Sequence, residues 1–308
     1  MSAAAGVLLR IAVTLALLAL LATQLGTAEL LHGLRSLTPA VLAVALLLGL
    51  AATVCTALRW YVVARGIGAP VPLGTAVADT YRAQLLNSVL PAGMLGDAHR
   101  AVAHGLPTAG GRAGFRAVVL ERAGGQVVVL LGCLALLAVV TGHPSALLVP
   151  VLLAAVVAVL YRTRTGPGAQ PGLRGWLDDV RVVLLSRDRG PAVVILSLTG
   201  LGCHLALFVV AARTAGVDAP LPVLLPLLVF GLLAMAIPLN VGGWGPREGV
   251  TAGMFGAAAL DPAAGFATAV LFGLLSLVGS LPGALTLTRS WRGHAVLRTD
   301  TVPDRRAP

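Results

Sequence analysis

The chain has 308 residues, 57% of them hydrophobic and only 11% charged, with a mean hydropathy of +0.93. A soluble domain carries about 25% charged residues, so the composition excludes a soluble globular protein and predicts an all-α fold, a polytopic transmembrane helix bundle. The net charge of +10 comes with no lysine at all, and its arginines sit mostly in loops and tail. That placement suits anionic phospholipids at the cytoplasmic face and no nucleic acid.

Continuous apolar runs occur at residues 7–25, 39–58, 117–140, 146–160, 192–212 and 263–287, which gives six crossings. The first run is longer than the apolar core of a signal peptide and opens a chain full of further spans, so it reads as a retained helix. Two other stretches, 73–96 and 221–260, are interrupted by proline and glycine. Each is either re-entrant or one ordinary crossing, which sets the total at six to eight spans with two re-entrant or broken segments. In the second, PLNVGGWGPREG at 238–249 separates two runs, each shorter than the roughly 20 residues of a full span. Backbone that leaves the helix at membrane depth must line a cavity or be buried in protein, because lipid cannot satisfy its polar groups. The stretch NSVLPAGMLGDAHR at 87–100 has the same order of proline, glycines, acid and arginine, as an internal repeat would.

Arginine placement decides the topology. With both interrupted stretches re-entrant, Arg59, Arg65, Arg100, Arg112, Arg116, the arginines of the 162–190 connector and those of the tail share one side. Only Arg35 and Arg213 fall opposite, apart from Arg247 within the second break. The arginine-rich side is therefore cytoplasmic, with both termini inside a multi-pass protein of the cell membrane. The membrane region then spans 1–288, as halves of about 1–141 and 145–288 inserted in opposite senses, the inverted repeat of many transporter cores. The cytoplasmic connector, 162–190, has a flexible Gly/Pro part, and its 176–189 part is also open to reading as a short surface helix with Asp178 and Arg181 a turn apart. The tail, 289–308, is expected to be disordered.

Charged groups at membrane depth are costly and are functional candidates by default. Arg247 and Glu248 lead: an arginine fork binds phosphate bidentately, Gly242, Gly243 and Gly245 would let backbone N–H groups reach the same oxygens, and Glu248 would neutralise Arg247 in the empty site. A salt-bridged loop cap at the outer surface is the alternative. Asp97 and Arg100, after Gly96, would form the matching inner site, although Asp97 also suits a helix N-cap. Glu121 and Arg122 point about 100° apart on a helix, so at least one faces the interior; Arg122 could instead snorkel to the headgroups. Asp79 and Arg82 fit a local ion pair, and His204 either a proton relay or, more in keeping with a lone histidine in an apolar helix, a hydrogen bond to a backbone carbonyl or a neighbour. Cys55, Cys133 and Cys203 lie in apolar runs without metal-ligand spacing, and no hydrolase, nucleotide or dinucleotide motif occurs, so no catalytic residue, metal or cofactor is expected.

Arg59-Trp60, then Asn87 with Pro91 to Gly96, Asp97 and Arg100, then Glu121-Arg122, then Gly242-Gly243-x-Gly245-x-Arg247-Glu248 resemble the membrane region of the lysylphosphatidylglycerol synthase/flippase family and its free-standing flippase-like relatives. The likeness runs over about 7–287. Two departures stand out: the family usually has Glu where this chain has Asp97, and an acid soon after the Glu-Arg pair where this chain has Gly124-Gly125. Full-length members add a soluble synthase domain, so for this chain the resemblance implies the lipid-translocating half alone. The expectation is a flippase-like carrier for an anionic lipid, a phospholipid or a polyprenyl-phosphate-linked glycan. The alternatives are a membrane-embedded enzyme, or a scaffold for envelope-synthesis enzymes, acting on a lipid-linked envelope precursor.

Overall fold

A computed structural model of the chain describes residues 28–89, 96–97, 100–101, 112–142, 179–181, 186–235 and 245–286. Among these, every regular element is helical: α1 (Ala28–Arg35), α2 (Pro39–Gly66), α3 (Leu73–Val89), α4 (Arg112–Thr141), α5 (Gly190–Thr214), α6 (Leu221–Ala234), α7 (Pro246–Ala257) and α8 (Pro262–Ser280). Four helices are long and apolar enough to cross a membrane: Pro39–Gly66, Gly114–Thr141, Gly190–Thr214 and Pro262–Thr286. They answer four of the six apolar runs; the runs at 7–25 and 146–160, the tail and most of the connector lie outside the described residues. At 1.5 Å per residue, α2 is about 42 Å long, more than the roughly 30 Å of hydrocarbon it must cross.

Local sequence starts these helices. Thr38 caps α2, its Oγ1 accepting from the Val41 amide at 3.3 Å, and Asp261 caps α8, accepting from the Ala263 amide at 3.0 Å. A proline follows each cap, where its missing N–H removes no helical bond. The spans then expose large apolar side chains, Leu47 at 65%, Ile195 at 62% and Val139 at 77%, surfaces that lipid tails solvate and water would not. The span of α8 is the central one, with 67% of it buried in protein against 28% for each of the others.

Both interrupted stretches fold back on themselves. A Cβ added to Gly96 would come within 2.3 Å of the Ala83 carbonyl oxygen, and Arg100 Nη1 reaches Thr80 Oγ1 at 3.4 Å. Rising numbers after the break thus meet falling numbers in α3, the register of an antiparallel hairpin. In the second stretch a Cβ on Gly231, three residues before the end of α6, would come within 2.6 Å of Thr251 Oγ1, five residues into α7. Two helices continuing in line could not bring those residues together. Both segments are therefore re-entrant in shape, with arms of 17, 14 and 12 residues for α3, α6 and α7.

The element order repeats: long helix, hairpin, long helix (α2, α3 to 101, α4), then the same again (α5, α6–α7, α8). Contacts repeat with it. The α2–α4 packing has its counterpart in α5–α8, α2–α8 in α5–α4, α2–α3 in α5–α6, and α3–α8 in α6–α4, while α2 and α5, the equivalent first helices, pack on each other. Their register shows the relation. Arg59 of α2 meets Ser197 of α5, Val63 clusters with Val193, and Ala45 lies in the cluster that holds Leu207, Phe208 and Ala211. These two helices run antiparallel, so the second unit is inverted relative to the first. The α4 helix runs with α5: Leu120 clusters with Val193, and Gly132 stands against Leu198 and Leu201.

Candidate functional site

Arg59, Glu121 and Ser197 come from three helices, and each lies seven residues from a helix or span end: the end of α2, the span start at Gly114 and the start of α5. Given the directions of these helices, all three occupy one layer about 10 Å from the same end of the bundle. Arg59 donates to Glu121 Oε1 from Nε at 2.8 Å and from Nη2 at 2.5 Å, and to Ser197 Oγ from Nη1 at 3.0 Å. The other oxygen, Glu121 Oε2, accepts from Arg100 Nη2 at 2.6 Å. Glu121 is 1% exposed and Arg100 1%, so this carboxylate holds two guanidinium groups away from bulk water. The Arg100 guanidinium also stands 4.5 Å from the Trp60 ring centroid, where the face of the indole attracts a cation.

Asp97 extends the network. It lies 3.8 Å from Arg100, and its Oδ2 accepts from Arg122 Nη2 and, at 2.8 Å, from Asn87 Nδ2. Asn87 Oδ1 in turn accepts from the Gly96 amide at 2.8 Å. One asparagine thus ties both arms of the first hairpin across the break. Of the Glu121-Arg122 pair, Glu121 faces the interior, while Arg122, with its side chain 46% exposed, bends back to Asp97.

In the second hairpin Arg247 and Glu248 pair with each other: Arg247 Nε donates to Glu248 Oε1 at 3.0 Å, and Nη2 reaches the same oxygen. At 2% and 0% exposure they lie inside the bundle, with Arg247 5.1 Å from the Phe272 ring centroid. Glu248 Oε2 accepts from the Gly245 amide at 2.6 Å, so the carboxylate also caps the start of α7. This departs from the expectation that the Gly245 amide faces an anion: its own helix takes it. Gly245 adopts φ 110°, a conformation only glycine takes readily, and that is why the motif needs it. Gly242 and Gly243 lie outside the described residues.

The two sets sit at different levels. Phe272 stacks on Phe208 at 4.3 Å between centroids, and Phe208 is eleven residues beyond Ser197 on α5, about 16 Å further along the bundle. The first hairpin thus brings together Asn87, Gly96, Asp97, Arg100, Glu121 and Arg122, and the second holds Arg247 with Glu248 toward the opposite end. Outside these sets, Arg82 donates to Asp79 at 2.9 Å and to the Thr286 carbonyl at 2.8 Å, the local pair expected, and His204 Nδ1 donates to the Gly200 carbonyl at 2.8 Å. Asp179 of the connector pairs with Arg116.

Over residues 7–283 the sequence matches the family described as the lysylphosphatidylglycerol synthase TM region. The chain belongs to this family. No individual curated protein matches it. As a family member it is a membrane protein, and the apolar spans agree. Arg59 is the site residue that sequence reasoning used for topology and for the family resemblance but not as a binding candidate, because it stands at the edge of an apolar run. Its depth, seven residues inside α2, was the available signal. Gly125, one of the two departures from the family pattern, now has a physical reason: a Cβ there would come within 2.4 Å of the Arg59 guanidinium carbon. The bare backbone leaves room for the Arg59 guanidinium to lie against α4 in its present position.

Proposed function

We propose that this member of the lysylphosphatidylglycerol synthase TM family is a carrier that moves an anionic lipid between leaflets of the cytoplasmic membrane. One observation supports this most: arginines and carboxylates are buried at two levels of the bundle, each level including residues of a back-folded hairpin, in units of opposite sense. A charged headgroup meets a high barrier in some 30 Å of hydrocarbon. Fixed guanidinium groups at successive levels lower it, while the acyl chains stay in lipid. Arg100 and Arg122 would take the headgroup at one level and Arg247 at the other, with Glu121, Asp97 and Glu248 holding these cations when the site is empty.

The end of the bundle bearing Arg65, Arg116, Arg187 and Arg189 is cytoplasmic in this reading, and the end bearing Arg35 and Arg213 faces outward. Both termini then lie inside, where enzymes of envelope synthesis are natural partners. In reconstituted vesicles the protein is expected to speed loss of a fluorescent anionic lipid from the protected leaflet, and to return it chemically unchanged. Arg247→Ala, folded to the same extent, is expected to slow that loss by roughly tenfold or more. Equal rates would remove Arg247 from the path, and a covalently altered lipid would replace carriage by catalysis.

A further inference from the structure

Among the described residues the buried and half-buried charges pair one to one in three places: Arg82 with Asp79, Arg116 with Asp179, and Arg247 with Glu248. The first hairpin's network does not balance. Among the described residues it holds three guanidinium groups, Arg59, Arg100 and Arg122, and two carboxylates, Glu121 and Asp97, a surplus of one positive charge. Uncompensated charge away from water is unfavourable, so such a site favours a ligand that cancels it and disfavours one that overshoots. Among the described residues two buried atoms of the network have no hydrogen-bond partner: the donor Arg100 Nε, on a side chain 1% exposed, and the acceptor Asp97 Oδ1, 3.8 Å from Arg100 Nη2. Arg122, with its side chain 46% exposed, is the edge from which a headgroup can enter.

We infer that the first hairpin's network takes a phosphodiester monoanion, and discriminates against zwitterionic lipids on one side and phosphomonoesters or diphosphates on the other. The inference rests on the carrier reading for its ligand being a lipid. Two sources share this chemistry: a glycerophospholipid with an uncharged headgroup, and a sugar joined to a polyprenyl monophosphate. A monoanion brings the network to neutrality and can accept from Arg100 Nε. A dianion would leave one negative charge in excess, and a zwitterion would leave the surplus as it was.

The test presents the full chain in detergent with an equimolar mixture at mildly alkaline pH: phosphatidylethanolamine, phosphatidylglycerol, a glycosylated polyprenyl monophosphate, phosphatidate and a polyprenyl diphosphate. Retained lipid is read by native mass spectrometry. At least one diester monoanion is expected to exceed the zwitterion, the phosphatidate dianion and the still more negative diphosphate by about tenfold, and the phosphatidylglycerol and polyprenyl arms show which source is used. Asp97→Asn adds a second surplus positive charge and is expected to move the preference to the phosphatidate dianion. Arg122→Gln removes the surplus and is expected to abolish the preference for monoanion over zwitterion; if one variant fails to fold, the other decides. Dianions retained as well as monoanions by the wild type, or a preference unmoved in every folded variant, would overturn the inference. Retention in the expected charge order without transfer across vesicles would sink the carrier reading alone, and transfer that ignores charge would sink this inference alone.

Discussion

Glu121 is the hinge of the first network because its two oxygens serve different arginines. Replacing it by glutamine keeps the size and removes the charge, leaving Arg59 and Arg100 buried without their shared carboxylate. Breaking a buried pair from one side costs about 3–5 kcal/mol, so Glu121→Gln is expected to lower the unfolding midpoint in detergent sharply. Arg116→Gln, which breaks a pair whose arginine keeps 30% of its side chain exposed, is expected to cost less than that. Equal losses would mean that the Glu121 network is no drier than the surface. Gly125→Ala tests the same cluster from the backbone. The Arg59 guanidinium can swing aside to admit a methyl group, but only by leaving Glu121 or Ser197, so about 1–3 kcal/mol is expected, with a loss of lipid binding. These residues were legible as charges in apolar sequence. That Arg59 completes the set was not, because the contact joins residues 62 positions apart.

The hairpins were legible as interruptions, since proline and glycine mark where a helix stops. What the chain does after the stop depends on tertiary packing: an interrupted helix can resume in line or fold back, with the same residues at the break. Here the close approach of Gly96 to the Ala83 backbone and of Gly231 to Thr251 fixes the second outcome. The two glycines make different predictions. At Gly96 an added methyl meets backbone atoms, which cannot give way without parting the arms; at Gly231 it meets the Thr251 hydroxyl and the edge of the Phe208 ring, which can turn. Gly96→Ala is therefore expected to lower the yield of folded protein well below that of Gly231→Ala, judged by gel filtration of matched membrane extracts. The reverse order would mean that the first hairpin is looser than its backbone contacts require. Asn87 has a double bond pattern, to Asp97 and to the Gly96 amide, that no propensity predicts.

At the scale of the whole molecule, the antiparallel register of α2 and α5 places the residues just before α5 and just after it at opposite ends of the bundle. Asp188 and Asp218 are both exposed at those ends. With the internal cysteines replaced, Asp218→Cys is expected to react with a membrane-impermeant maleimide in intact cells, and Asp188→Cys only after permeabilisation. The opposite pattern would reverse the assigned orientation, and labelling of both in intact cells would contradict a span at α5.

The sequence by itself determined the solvent of this protein, six apolar runs of which four are long helices among the described residues, the places where helices break and most of the charges at depth. Each of these follows from composition and short-range pattern: apolar length, glycine and proline, and arginine counts in adjacent loops. The tertiary structure decided between the two readings of the breaks, in favour of folding back, and it alone decided that Glu121 gathers Arg59 and Arg100 while Arg247 pairs with Glu248 at another level of the bundle. Which cation meets which carboxylate depends on where helices distant in sequence come to lie, and nothing in the local pattern of a single stretch fixes that.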